Sequence, residues 1–189
     1  MRQKDFISFL NVIEKLKCNT RHSWTSSGRR ESVAEHCWRL SVMAMLCRDE
    51  FPELDIDRVI KMCLIHDLGE AITGDIPSFY KTESHETAEE RAIDKLTAML
   101  PEPYNSEFKS LFDEIDKKSS PEAKLFKALD NMEAVISHNE ADISTWLPLE
   151  YEENLIYGEE NVQFSEWTRE LKNELNRQSR EKIKNNEQK

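Results

Sequence analysis

Glycine and proline are scarce in this chain, at four and six among 189 residues. A sandwich or barrel needs turn residues roughly every 8–12 positions, which so few glycines and prolines cannot supply. Positive charge is also in deficit: 26 Lys and Arg stand against 37 Asp and Glu, a formal net charge of −11. Sequence-independent binding of nucleic acid requires cationic neutralisation of phosphates, so no nucleic-acid partner is expected. A small phosphate compound stays possible, because one metal ion and one arginine reverse the sign of a cleft. No apolar run approaches the ~20 residues that span a bilayer, and MRQKDFISFL lacks the apolar core of a signal peptide. Cys18, Cys37, Cys47 and Cys63 form no Cys-x-x-Cys pair and no zinc-ribbon spacing. Free thiols in helical segments, with no membrane partner, lead to the expectation of a soluble, cytoplasmic protein.

What the chain does contain is helical periodicity. Phe6, Phe9, Leu10, Ile13 and Leu16 predict a helix over 4–17. From Cys18 to Glu31 the pattern breaks, and the polar stretch around Gly28 reads as a loop. Ser32-Val-Ala-Glu35 is a capping box that opens a helix reaching about Glu50. The most apolar helix is expected from Val59 to Ile72, stopped by Gly74. Further helices are expected over 84–100, 105–117, from Ser120-Pro121 to Glu140, and from Ser165 onward. Residues 142–163 are less regular, and 180–189 form a polar tail expected to fray. The expectation is an all-α single domain over 1–189, a bundle of about seven helices.

The chemistry centres on His66-Asp67, flanked by Ile65 and Leu68. An imidazole and a carboxylate in so apolar a helix are costly unless something satisfies them. A divalent metal would do so; hydrogen bonds bridging two helices would do so as well. On one continuous helix, Glu70 shares a face with both and stands where a general base belongs. His36 follows directly after the capping box, and Asp130 sits in KALDNMEA on a helix with core-facing neighbours. Two His and two Asp from three helices could converge on one ion, as in bundle-core metal sites. Alone, Arg21 reads equally as a solvated loop charge, Asp75 as part of a helix-stop turn, and Lys81 as a surface lysine.

Arg21, ESVAEH ending at His36, HDLGEAITGDIP at 66–77, and Asp130 together resemble the HD superfamily of metal-dependent phosphohydrolases. Within it the chain is similar to the small YfbR-type 5′-deoxynucleotidase branch and its eukaryotic relatives. The resemblance implies an HD-domain bundle in which His36, His66, Asp67 and Asp130 hold one divalent ion (Co, Mn, Mg, Zn, Fe or Ni). It implies that Glu70 activates the attacking water and that Arg21 orients the 5′-phosphate with its planar fork. Asp75 would meet the sugar hydroxyl, with Ser78 and Lys81 lining the nucleotide site. Bacterial members carry Trp directly after the Arg, where it discriminates against a ribose 2′-hydroxyl. Here His22 follows Arg21 and the aromatic is Trp24, so strict deoxyribose preference does not carry over; both join the candidate substrate contacts. His85 and His138 have no partner His nearby in sequence, which favours one metal over two. The expected activity is hydrolysis of a nucleoside 5′-monophosphate by a homodimer. The alternatives are a phosphodiester or nucleoside polyphosphate as substrate, and a metal-binding HD module without turnover.

Overall fold

The computed structural model describes residues 1–188, except the side chain of Ser78. Seven helices of ten or more residues stand among the described residues: α1 (Gln3–Ile13), α2 (Val33–Leu46), α3 (Ile56–Ile65), α5 (Glu83–Ala98), α6 (Tyr104–Lys117), α7 (Pro121–Glu140) and α9 (Glu166–Glu187). Two short ones, α4 (Glu70–Thr73) and α8 (Glu150–Ile156), complete the α set. The caps form as the sequence requires. The Ser32 hydroxyl accepts from the Glu35 amide at 3.3 Å while Glu35 accepts from the Ser32 amide at 2.9 Å. Ser120 accepts from the Ala123 amide at 3.0 Å, with Pro121 at the first helical position.

Two expectations are corrected. Cys18 to Glu31 is not an irregular loop. It holds an antiparallel hairpin, β1 (Thr20–Trp24) and β2 (Arg30–Ser32), turned at Gly28 with φ +82°. The strands are polar and short, so no apolar alternation announces them; pairing of Thr20 with Ser32 and of Trp24 with Arg30 makes them. Nor is 59–72 one helix. The α-helical run ends at Ile65, and the chain turns through Leu68 N–H to Ile65 C=O (2.9 Å) and Glu70 N–H to Asp67 C=O (3.0 Å) before α4. Gly69 lets α5 pack closely at this corner: a Cβ there would lie 3.1 Å from Glu89 Cγ. Gly74, at φ +77°, then ends α4 as expected.

The core is the shared face of α2, α3 and α7. Val33, Leu40, Val59, Met62, Leu125 and Leu129 are fully buried there. Beyond Ala128 and Met132, α7 packs its other side on Val162 and on Leu175 of α9. The long α7 therefore runs through the middle of the molecule, and its polar positions are the ones that reach the site. The polar C-terminal segment continues α9 as far as Glu187. All four cysteines are free, and three of them are buried.

Candidate metal centre and its cleft

His36, one turn into α2, is wholly buried. Its Nδ1 is held by Glu133 of α7, and its Nε2 lies 3.3 Å from His66 Nε2 and 3.1 Å from Asp130 Oδ1. His66, at the end of α3, turns its Nδ1 to the Cys63 carbonyl at 3.0 Å. Its Nε2 is 3.1 Å from Asp67 Oδ2 and 3.6 Å from Asp130 Oδ1. His36, His66 and Asp67 offer ligand atoms all within 4.8 Å of one another. The sequence-predicted set therefore converges from α2, the α3–α4 corner and α7.

This arrangement passes a test of fit to a cation. Both Nδ1 atoms face acceptors and so carry a ring proton, which leaves the two Nε2 atoms as the edges that would meet an ion. Two imidazole edges and two carboxylate oxygens converge there, and a cation would take the place of any proton held between them. Ligands about 2.1 Å from an ion and at right angles lie about 3 Å apart, the separation seen here. The donor set, two nitrogens and two oxygens, suits a divalent first-row ion or Mg. The carboxylates draw protons onto both rings. Burial opposes this, but Asp130 and Glu133 raise the His36 pKa, and Asp67 raises that of His66 well above its usual value. A divalent ion would compete with those protons. Burial disfavours the Asp130 carboxylate, but Lys127 and the two imidazoles overcome it and hold its pKa well below the usual range. Asp67 is likewise lowered against its burial, chiefly by His66.

Around this centre lies a charge network that the sequence reading missed. Glu133 Oε1 takes Arg39 Nε at 2.7 Å, and Glu133 Oε2 takes Arg21 Nη1 at 3.1 Å; Glu31 takes the same Arg21 nitrogen at 3.2 Å. Burial opposes the Arg21 charge, yet Glu133, Asp67 and Glu31 raise its pKa. Glu31, His36 and Glu133 also come close enough to resemble a metal set. Two arginines already occupy those two acids, so that group is a neutral ion-pair cluster. The signal for Glu133 was present in the sequence: three residues after Asp130, it shares the face of α7 that carries the site.

A cleft of about 660 Å³ opens over the centre. Arg21, His22, Glu70, Asp75 and Lys81 all line it, as does Asp130. Glu70 is 4% exposed, and its Oε2 has no hydrogen-bond partner. Burial, with Asp67 and Asp75 adjacent, pushes its pKa up to about 9. The shared helix face predicted for Glu70 is not what puts it there; the corner after α3 does. Burial raises the Asp75 carboxyl as well. Lys81 pairs with Glu89 of α5 at 2.9 Å, and both line the cleft. Trp24 is not brought to the cleft; Arg30 sits over its ring at 5.3 Å. The Ser78 side chain, expected to line the nucleotide site, lies outside the described residues. Lys127, unnoticed in the sequence, lines the cleft and holds Asp130 Oδ2 at 2.8 Å.

The family model of the HD domain matches residues 13–172. The chain belongs to the HD-domain family. Among its relatives, the human protein named 5′-deoxynucleotidase HDDC2 is 36% identical over 142 residues, 72% of this chain and 68% of that one. The Schizosaccharomyces pombe 5′-deoxynucleotidase hdd1 is 32% identical over 137 residues, 68% of each chain. A crystal structure described as a predicted metal-dependent phosphohydrolase from Magnetospirillum magnetotacticum superposes with a TM-score of 0.73 at 28% identity, covering 94% of both chains. The eleven residues that open this HD chain's α1 fall largely outside the matched span, while the whole metal centre falls inside it.

Proposed function

We propose that this HD-domain protein is a metal-dependent 5′-nucleotidase that cleaves nucleoside or deoxynucleoside 5′-monophosphates to nucleoside and phosphate. The observation that carries the reading is the meeting of two imidazole Nε2 atoms with two carboxylates at the floor of a cleft with a paired arginine and an unpartnered Glu70 oxygen. The names of the human and fission-yeast relatives support the substrate class.

In this reading His36, His66, Asp67 and Asp130 hold one divalent ion. When bound, such an ion supplies Lewis acidity toward a phosphoryl oxygen and makes water a better acid. Arg21 binds the phosphate oxygens and offsets the charge that grows on them, its fork kept in place by Glu31 and Glu133. Glu70 moves the protons at its unpartnered Oε2: ionised, it takes one from the attacking water, and protonated, it returns one to the leaving 5′-oxygen. Burial pushes the carboxyl up to about 9, which favours the protonated form that serves the leaving oxygen; the ionised form that takes the water proton is favoured with a cation held beside Asp67. Asp75 meets the sugar hydroxyl and Lys81 the outer edge of the substrate.

We also infer a cytoplasmic setting, consistent with four free thiols, and a homodimer. Exposed Phe6, Ile7 and Leu10 on α1, or Trp38, Met45 and Leu46 on α2, could supply its apolar contact. Sedimentation analysis reads the oligomeric state directly. The activity is tested by following nucleoside release from a panel of ribo- and deoxyribonucleoside 5′-monophosphates with Mn, Co, Mg and Zn. Turnover by the wild type, lost in Glu70→Gln at unchanged metal content, is the expected result. A panel left intact with every metal would remove the nucleotidase reading.

A further inference from the structure

Residues 142–163 carried no functional expectation, yet α8 supplies a full wall of the cleft. Glu150 and Asn154, 3% and 4% exposed, both line it. Glu150 Oε2 accepts from the Leu147 amide at 2.7 Å, which fixes the carboxylate at the start of its own helix. Its other oxygen, Oε1, lies 3.1 Å from His22 Nε2 and 3.7 Å from His138 Nε2. Glu150 Oε1 faces His22 Nε2 at ion-pair distance but short of hydrogen-bond alignment, and Asn154 Nδ2 has no hydrogen-bond partner, so three buried polar atoms in one small volume are incompletely satisfied. Orphaned polar atoms are costly inside a protein and concentrate where a ligand completes the network.

The neighbouring contacts fix which way the groups point. His138 Nδ1 and Asn154 Oδ1 are 2.8 Å apart, so the Asn154 oxygen is engaged and its Nδ2 is the free donor. The His22 and His138 rings stand edge to face at 6.4 Å, and Phe79 closes the other side of His22 at 6.0 Å. With Nε2 turned toward Glu150, the opposite edge of His22, its Nδ1, is the one left for the cleft, where 19% of the side chain is exposed. Position along α7 separates this wall from the metal centre. His138 lies eight residues beyond Asp130, about 12 Å along the helix axis. Phosphate alone does not span that distance, whereas a nucleoside attached to it does.

We propose that α8 is the nucleoside-binding wall of the cleft, in which Glu150 holds the Nε2 edge of His22 so that Nδ1 accepts a hydrogen bond from the sugar or base of a nucleotide whose phosphate lies on Arg21. This rests on the nucleotidase reading and adds Glu150 to it as a positioning residue. Glu150 acts through His22 and does not touch the reacting atoms. A hydroxyl of the sugar and an N–H of the base share the donor chemistry that Nδ1 requires.

Glu150→Gln tests the polarity of the wall. The amide keeps an oxygen for the Leu147 N–H but turns an N–H toward His22, which moves the ring proton to Nδ1 and converts the acceptor into a donor. The expected result is a KM for dAMP about tenfold higher, kcat within about threefold, and an unchanged inhibition constant for inorganic phosphate. 2-Deoxyribose 5-phosphate locates the contact: a matching rise in its KM assigns the sugar, an unchanged KM assigns the base, and both agree with the proposal. An equal loss of phosphate affinity, or an unchanged KM for dAMP, overturns it. A second measurement needs no substitution in the wall. In Mg-loaded Glu70→Gln protein, the ¹⁵N resonance of His22 Nδ1 shifts on saturation with dAMP and not with inorganic phosphate. A resonance that dAMP leaves unmoved overturns the proposal even if Glu150→Gln fails to fold. Wild-type protein that hydrolyses no nucleotide would remove the nucleotidase reading, and the response of His22 to bound dAMP would still decide the role of the wall.

Discussion

Glu133 offers the sharpest perturbation, because one wholly buried carboxylate serves four partners. It receives His36 Nδ1, Arg39 at 2.7 Å, Arg21 at 3.1 Å and the Ser137 hydroxyl at 3.2 Å. Burial acts against its charge, but the His36 bond and the arginines lower its pKa to about 2. Truncation to Ala would strip His36 Nδ1 of its acceptor and remove one carboxylate from each arginine, leaving Arg21 on Glu31 and Arg39 on Glu140. That is a loss of about 3–5 kcal/mol, which risks the fold. Glu133→Gln is more informative. Its oxygen can still accept from Arg39, but its amide N–H₂ then faces His36 Nδ1, and two donors cannot share that contact. The ring responds by placing its proton on Nε2, the atom aimed at the ion. Changes of this kind behind a metal-bound histidine cost about 10–100-fold in metal affinity, or about 1.4–2.7 kcal/mol. Competition against a chromophoric chelator measures the affinity, and ¹⁵N shifts of His36 report the tautomer. Wild-type affinity in a folded Glu133→Gln protein would refute the argument that Glu133 sets the ring. The wild-type carboxylate also has a pH signature. Its folded pKa lies below its unfolded one, so the stability it contributes is complete above about pH 4.5 and is lost as pH falls toward 2.

Three further outcomes follow from the same structure. Mn or Zn at one hundred times its dissociation constant stabilises the native state by about 2.7 kcal/mol, and His66→Ala abolishes that rise in melting temperature. Leu129→Ala, at a fully buried position of α7, costs about 2–5 kcal/mol in urea unfolding; a smaller loss would mean that α7 is not the core helix described. Lys172 is 1% exposed, and burial lowers its pKa to about 8 even though its ammonium donates to the Asn154 carbonyl at 3.0 Å. Its folded pKa is below the unfolded value, so the cost of charging it is complete below pH 8 and fades as pH rises toward 10.5. Lys172→Met is therefore expected to be more stable than wild type by up to about 3 kcal/mol at pH 7, with the gap closing at pH 10; a gap independent of pH would refute it.

What the sequence made legible followed from local rules, and what it hid depended on contacts between distant residues. Ser32-Glu35, Ser120-Pro121 and Gly74 announced helix ends because a cap is satisfied within four residues. The ligand candidates His36, His66, Asp67 and Asp130 were visible because polar residues on apolar helices stand out against a known pattern. The corner before Gly69 was hidden because residues 59–72 keep a helical period throughout, while the close approach of α5 to Gly69 is a tertiary contact that local periodicity does not encode. The hairpin at 20–32 was hidden for another reason, since its buried positions, Ser23, Glu31 and Ser32, are polar and show no apolar alternation. The same distinction explains His138. Read along the chain it had no partner, yet the fold sets Glu150 and Asn154 of α8 against it, and Lys172 and Asn176 of α9 hold the α8 backbone at 3.0 and 2.9 Å. The candidate metal centre comes from residues within the first 130, but the wall facing it comes from the next thirty. A variant that loosens α9 should therefore weaken nucleotide binding before it disturbs the four residues proposed to hold the ion.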